Sequence, residues 1–280
     1  MPCPLCDDTG WKPTEHDGTR RVVRCDCWRE QLSRQRLADA NIPKRYQHCA
    51  IANFTAYNES LERAAAQAQR IADSFPASAM GLFLEGQPGV GKTHLAVAVL
   101  KRVIESSGAR GLFYDTRDLL RVIRSTYDPS TRATELEVLR PVMRADLLVL
   151  DDLGAEKTSE WVEETMNLIV NTRYNERRLT LFTSNYPDIP DETEPNSLLF
   201  RIGFRMRSRL HEMCEFTVMD AADYRERPEN AGAEDLVTMW KLRKKALPPR
   251  AGRQARAQLR EPSVRDGRGD LKWPGGRAGS

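Results

Sequence analysis

The chain has 280 residues, 40% of them hydrophobic, and carries 43 Lys and Arg against 40 Asp and Glu for a net charge of +3. That composition supplies one core of roughly 150–200 residues plus appendages, and so balanced a charge says little about partners of the whole chain. No apolar run approaches the ~18–20 residues that span a bilayer and no apolar signal region follows Met1, so the expected setting is the cytoplasm with no membrane contact, where the six cysteines point to metal ligation or buried thiols rather than disulfides.

Four segments separate by composition. Residues 1–28 hold Cys3, Cys6, Cys25 and Cys27 among Gly and Pro without a helical period. Residues 29–57 are polar and read as a helix and connector containing Ile42-Pro43-Lys44-Arg45-Tyr46. Residues 58–226 alternate helix and strand patterns. Helices are expected over Leu61–Ser74, Lys92–Glu105, Asp118–Tyr127, Glu135–Met143, Glu160–Tyr174 and Leu198–Glu212. Strands are expected over Gly81–Glu85, Gly111–Tyr114, Leu147–Leu150, Leu179–Thr183 and Phe216–Val218. The uninterrupted apolar run Leu147-Leu148-Val149-Leu150 is the pattern of a central strand buried on both faces. Alternating strands and helices predict an α/β fold with a parallel sheet covered on both sides. Residues 227–280 are expected to form a basic, disordered tail, with one possible helix over Ala233–Lys245. From Lys241 to Arg277, twelve Lys and Arg face three acidic residues, a local charge of +9. Such a tail is either merely solvated or a non-specific contact to nucleic acid.

The octet Gly86, Gln87, Pro88, Gly89, Val90, Gly91, Lys92 and Thr93 fits G-x-x-x-x-G-K-[ST]. It follows a predicted strand and opens a predicted helix, the context in which backbone N–H groups cradle ATP phosphates. Lys92 would reach the β- and γ-phosphates and Thr93 would place its hydroxyl on Mg2+, with His94 next on the same helix. The strand ending in Asp151-Asp152 presents two carboxylates where open α/β sheets bind ligands. Asp151 would hold Mg2+ through water and Asp152 would polarise the attacking water; the bland reading is a surface turn. Asn185, ending Phe182-Thr183-Ser184-Asn185, either orients that water or starts the turn before Pro187. Arg201, Arg205, Arg207 and Arg209 are either a basic helix face or a source of an arginine for a neighbour's γ-phosphate, with Arg209 as the candidate.

Cys3-x-x-Cys6 and Cys25-x-Cys27 can close a four-thiolate Zn2+ site. A redox dithiol and His16 in place of one thiol are the alternatives. Cys49 and Cys214 read as isolated buried thiols.

Taken in order, Ile42–Tyr46 with Asn53-Phe54, the octet, the stretch Leu148–Trp161 (LVLDDLGAEKTSEW), Phe182–Asn185, Arg207-Ser208-Arg209-Leu210 and Asp223-Tyr224-Arg225 resemble the AAA+ ATPases of the bacterial helicase-loader group, DnaC and DnaI, with the IstB transposition helpers as relatives. The resemblance covers residues 40–226. It implies an AAA+ three-layer sandwich with a five-stranded parallel sheet, preceded by a zinc-ribbon-like module and a helical connector. It implies that Asn185 is sensor 1 and Arg209 the arginine finger, in a homo-oligomer formed on nucleotide or partner. Asp152 stands where many AAA+ proteins carry Glu, which suits a slow, regulated ATPase. Helices over Thr116–Arg144 would touch single-stranded DNA, with Arg117, Arg121 and Arg124 either on phosphates or simply solvated. The expected function is an ATP-dependent loader of the replicative DNA helicase, with the zinc module and Ile42–Tyr46 contacting the helicase. A transposition helper and a regulatory nucleotide-binding scaffold are the alternatives.

Overall fold

Seven strands and eight helices are described in a computed structural model covering residues 3–246 apart from 17, 79, 129, 131–132, 158 and 229–231. The expected tail from 247 onward lies outside these residues, as does the side chain of His16. The one helix expected inside residues 227–280, over Ala233–Lys245, is observed over Ala233–Ala246.

The N-terminal segment forms a hairpin of β1 (Trp11–His16) and β2 (Thr19–Arg24), paired antiparallel. Helix α1 (Cys27–Asp39) begins on the last cysteine of the cluster, so the module and the connector share a residue rather than meeting at a joint. The connector is built into the next domain. Phe113 N donates to Ala40 O at 2.8 Å, and Asn41 Nδ2 donates to Phe113 O at 3.0 Å, which covers the edge of the main sheet.

That sheet contains β3 (Gly81–Gly86), β4 (Gly111–Asp115), β5 (Leu147–Asp151), β6 (Leu179–Ser184) and β7 (Cys214–Met219), all parallel in the order β4-β5-β6-β3-β7. The two-residue period of a strand sorts its side chains onto two faces. Leu82, Leu84, Leu147, Val149, Leu179 and Leu181 meet α2 (Glu59–Ser74) and α3 (Lys92–Ser107). Phe83, Leu148, Leu150 and Phe182 meet α4 (Thr116–Ser125), α5 (Glu135–Arg144), α6 (Glu160–Asn175) and α7 (Leu198–Met213). The expected three-layer sandwich is the observed one.

The helices start where side chains accept their first free N–H groups: Asn58 for α2, Asp115 for α4, Thr134 for α5, Ser159 for α6 and Ser197 for α7. Helix α7 differs from the single helix the sequence predicts, because Gly203 sits at φ 76°, ψ 161° and breaks it into two pieces. Helix α8 (Ala233–Ala246) returns to the sheet end, where Arg243 Nη1 donates to Ala221 O at 2.6 Å and Leu236 is buried.

Candidate functional site

The C-terminal ends of β3, β4, β5 and β6 converge on a cleft of about 450 Å³. The loop after β3 turns back through Gly89 and Gly91, both at positive φ (80° and 99°), a region that glycine enters without cost. A Cβ on Gly91 would stand 2.6 Å from the Phe54 ring, and one on Gly89 would overlap the Asp223 carboxylate. The connector and the segment after β7 therefore both close onto the loop. Tyr224 N also donates to Gly89 O at 3.0 Å.

Lys92 opens α3 and is nearly buried. Its Nζ donates to Gly86 O and Gln87 O, both at 2.9 Å, and to Asn185 Oδ1 at 2.7 Å. Burial lowers its pKa to about 8, against the opposing pull of Asp151 and Asp152. Thr93 Oγ1 donates to Asp151 Oδ1 at 2.8 Å, and Thr183 Oγ1 donates to the same oxygen at 2.7 Å. Burial raises the Asp151 pKa and these two hydroxyls counter it. A hydroxyl and a carboxylate in contact at a strand end, beside a phosphate-type loop, are the hard oxygen donors that Mg2+ takes together with waters.

Asp152 lies next to this pair with φ 58°, a left-handed conformation uncommon for a non-glycine residue. Its N–H donates to Thr183 Oγ1 at 2.9 Å. Its carboxylate accepts from Asn185 Nδ2 at 2.5 Å and from Arg117 Nη2 at 3.1 Å. Burial raises its pKa, opposed first by Arg117. Asn185 thus bridges Lys92 and Asp152, which requires β5 and β6 to be neighbours, as they are.

The structure brings Lys92, Thr93, Asp151, Asp152 and Asn185 together in this cleft. His94 lies on its wall, with Nε2 at 3.0 Å from Ala50 O and its ring tilted on Phe54. Arg209 lies apart from the cleft lining, and its Nη1 donates to Arg205 O at 3.5 Å. Arg201 covers the Tyr186 ring at 4.5 Å, and Arg207 holds Asp188. Of the three arginines on α4, Arg117 turns to Asp152, Arg121 pairs with Asp118 at 3.0 Å and Arg124 lies over the Trp161 ring at 4.6 Å. Sequence reasoning did not assign Arg117 and Arg225 to the cleft, nor Phe54 and Tyr57 to its wall. For Arg225 the motif Asp223-Tyr224-Arg225 was a signal; for Arg117 only the strand order reveals it. Ile42 and Tyr46, expected to face a partner, pack against the core, and Arg45 and Tyr46 line the cleft.

The four N-terminal cysteines form a second cluster. Their sulfurs all lie within 4.8 Å of one another, with Cys3 Sγ to Cys25 Sγ at 3.7 Å and Cys6 Sγ to Cys27 Sγ at 3.2 Å. Turns after Cys3 and after Cys25 aim both pairs inward, helped by Asp7 and Asp8 at positive φ. The hydrogen bond with Cys6, then burial and the neighbouring sulfurs, push the Cys27 thiol up. Four sulfurs so close cannot all ionise without a cation, and the set fits tetrahedral Zn2+.

A five-stranded parallel sheet in this order, with a G-x-x-x-x-G-K-[ST] loop and acidic residues at the adjacent strand ends, defines a P-loop nucleotide-binding domain of AAA+ architecture. The chain belongs to the family described as IstB-like ATP binding protein, whose model matches residues 22–189. Among curated relatives it is 28% identical over 149 residues to the replicative helicase loader DnaC of Buchnera aphidicola subsp. Baizongia pistaciae, covering 53% of this chain and 60% of that one. It is 26% identical over 140 residues to DnaC of Escherichia coli K12, covering 50% and 56%. The chain thus spans about 60% of the length of the curated relatives it matches. A solved DnaC helicase loader structure superposes with a TM-score of 0.56 at 36% identity, covering 63% of this chain and 99% of that one. The DnaI structure shares the fold, with a TM-score of 0.53 at 21% identity over 65% of this chain and 94% of that one. Among the described residues, no helix is long and apolar enough to cross a membrane.

Proposed function

We propose that the chain is an ATPase that loads a replicative DNA helicase onto single-stranded DNA. The observation that carries this reading is the chain of contacts Lys92–Asn185–Asp152–Arg117, which ties the phosphate loop to the first turn of α4. A γ-phosphate on Lys92 would displace part of that chain and release Arg117, so nucleotide state would be felt on α4. Where α4 meets α6, groups suited to single-stranded DNA gather: Arg124 of α4 stacked on Trp161 of α6, and Trp161 Nε1 donating to the hydroxyl of the exposed Tyr127, just past α4, at 3.1 Å. Bases stack on such aromatics whatever their sequence. The DnaC relatives, named as replicative helicase loaders, support the helicase as partner.

Within this reading Lys92, Thr93 and Asp151 hold ATP and Mg2+, Asp152 and Asn185 position water, and residues 1–28 bind Zn2+ and dock the helicase. Arg209 completes a neighbour's site in a homo-oligomer. The ATPase domain spans 58–226, with the connector 29–57 as the wall of its cleft. Lys92→Ala in the full chain is expected to weaken ATP binding and abolish helicase delivery to a single-stranded template; delivery at the normal rate would overturn the reading. The same chemistry would serve an IstB-like helper of transposition, since the matched family is described by its ATP binding. Capture of a helicase or of a transposase by the full chain separates the two.

A further inference from the structure

Among the described residues a second group of soft ligands lies outside the N-terminal module. His48, Cys49 and His94 each present one ligand atom, and these atoms lie within 4.8 Å of one another. His48 and Cys49 sit in the connector, just after the turn Lys44–Tyr46, where Cys49 N donates to Tyr46 O at 3.0 Å. His94 is in the first turn of α3, one residue beyond Thr93. The two imidazoles cross edge to face with centroids 6.1 Å apart.

We infer that His48, Cys49 and His94 form a transition-metal site, suited to Zn2+, that staples the connector to the start of α3. Two imidazoles and one thiolate are the borderline-soft donors that Zn2+ selects, with a fourth position left to water. Zinc–ligand bonds of about 2.0–2.3 Å space tetrahedral ligand atoms roughly 3.3–3.7 Å apart. Closing from 4.8 Å at most therefore takes no more than roughly 1.5 Å, within reach of the exposed His48 side chain. The backbone is already held: Lys101 Nζ donates to Gln47 O at 2.5 Å and to Cys49 O at 3.0 Å. His94 Nε2 lies at hydrogen-bond distance from Ala50 O; with its N–H donated there, Nδ1 carries the lone pair that a metal takes. A backbone carbonyl in that role is how ligating histidines are commonly oriented. With Cys49 buried, the ion enters from the His48 side, and three ligands hold it less tightly than four thiolates would.

The consequence reaches the nucleotide. Phe54 packs on both His94 and Gly91, and Arg45, Tyr46 and Tyr57 line the same cleft. An ion at this point would fix the wall that faces the nucleotide, so occupancy would tune affinity without touching the phosphates.

The test is metal counting on the full chain after loading with Zn2+ and desalting, with His48→Ala beside it. Two equivalents are expected in the unaltered chain and one in His48→Ala, with the same melting temperature before loading. In Co2+-loaded protein the thiolate charge-transfer band should fall by about one fifth in the variant, one sulfur of five. Cys49→Ser should lose the same equivalent, and if that buried change prevents folding, His48→Ala still decides. The difference between the two chains is the criterion, whatever the N-terminal cluster retains: a loss of one equivalent carries the site, and equal counts overturn it.

Discussion

Lys92 makes three hydrogen bonds before any phosphate arrives, so binding must exchange one of them for a phosphate oxygen. Because burial lowers its pKa to about 8, the charge it brings depends on pH. Phosphate binds the ammonium form. Below about pH 8 that form is present and affinity should be flat; above it each ATP must bind with proton uptake, and affinity should fall by up to about tenfold per pH unit. Titration with a fluorescent ATP analogue from about pH 7 to about pH 9 reads this directly, and a flat profile would contradict it. Asp152 is the other residue with a distinct expectation. Its short side chain is held by Asn185 and Arg117 from two sides. If reach limits water activation, Asp152→Glu should raise steady-state phosphate release on single-stranded DNA by on the order of tenfold. An unchanged or lower rate means that those two partners, not length, set the rate.

At the scale of elements, the join between α5, α6 and β6 depends on Arg173, which is fully buried on α6. Its guanidinium donates to Val142 O, Met143 O and Ala145 O at the end of α5, and to Leu179 O and Thr180 Oγ1 at the start of β6. The first three are carbonyls that a helix end leaves unmatched. Arg173→Met would bury them without donors and should cost about 3–5 kcal/mol, read as a lower midpoint in urea unfolding. Lys should not restore the loss, because an ammonium has three donors where the fork supplies five bonds in a plane. The break at Gly203 has a different effect: around it Arg201 and Arg207 turn inward to Tyr186 and Asp188, and Arg205 and Phe204 remain exposed. A run of four arginines thus serves two purposes.

For the whole molecule, Arg209 lies outside its own cleft, so the proposed role in hydrolysis needs a second copy. Mixing Lys92→Ala with Arg209→Ala tests it: each alone should be inactive. Random assembly of equal amounts should restore about one quarter of the wild-type rate, from interfaces that pair an intact loop with an intact arginine. No recovery would remove Arg209 from that role.

The layered α/β fold was legible because its signals are local. Leu147–Leu150 is apolar on both faces, α2 repeats small and apolar residues at helical spacing, and the phosphate loop needs contiguous glycines. The four-cysteine spacing is equally local. The N-terminal hairpin escaped because β2 exposes every side chain and so carries no alternation. The wiring of the cleft was invisible for another reason. Arg117 and Asp152 are 35 residues apart and meet only because β4 lies beside β5. His48 and Cys49 meet His94 only because the connector folds back along the edge strand. The sequence by itself determined the elements, the phosphate loop and the cysteine cluster, since those depend on neighbours along the chain. Which carboxylate each cation faces, and which wall closes on the nucleotide, was decided by strand order and connector docking, which bring together residues that no periodicity relates.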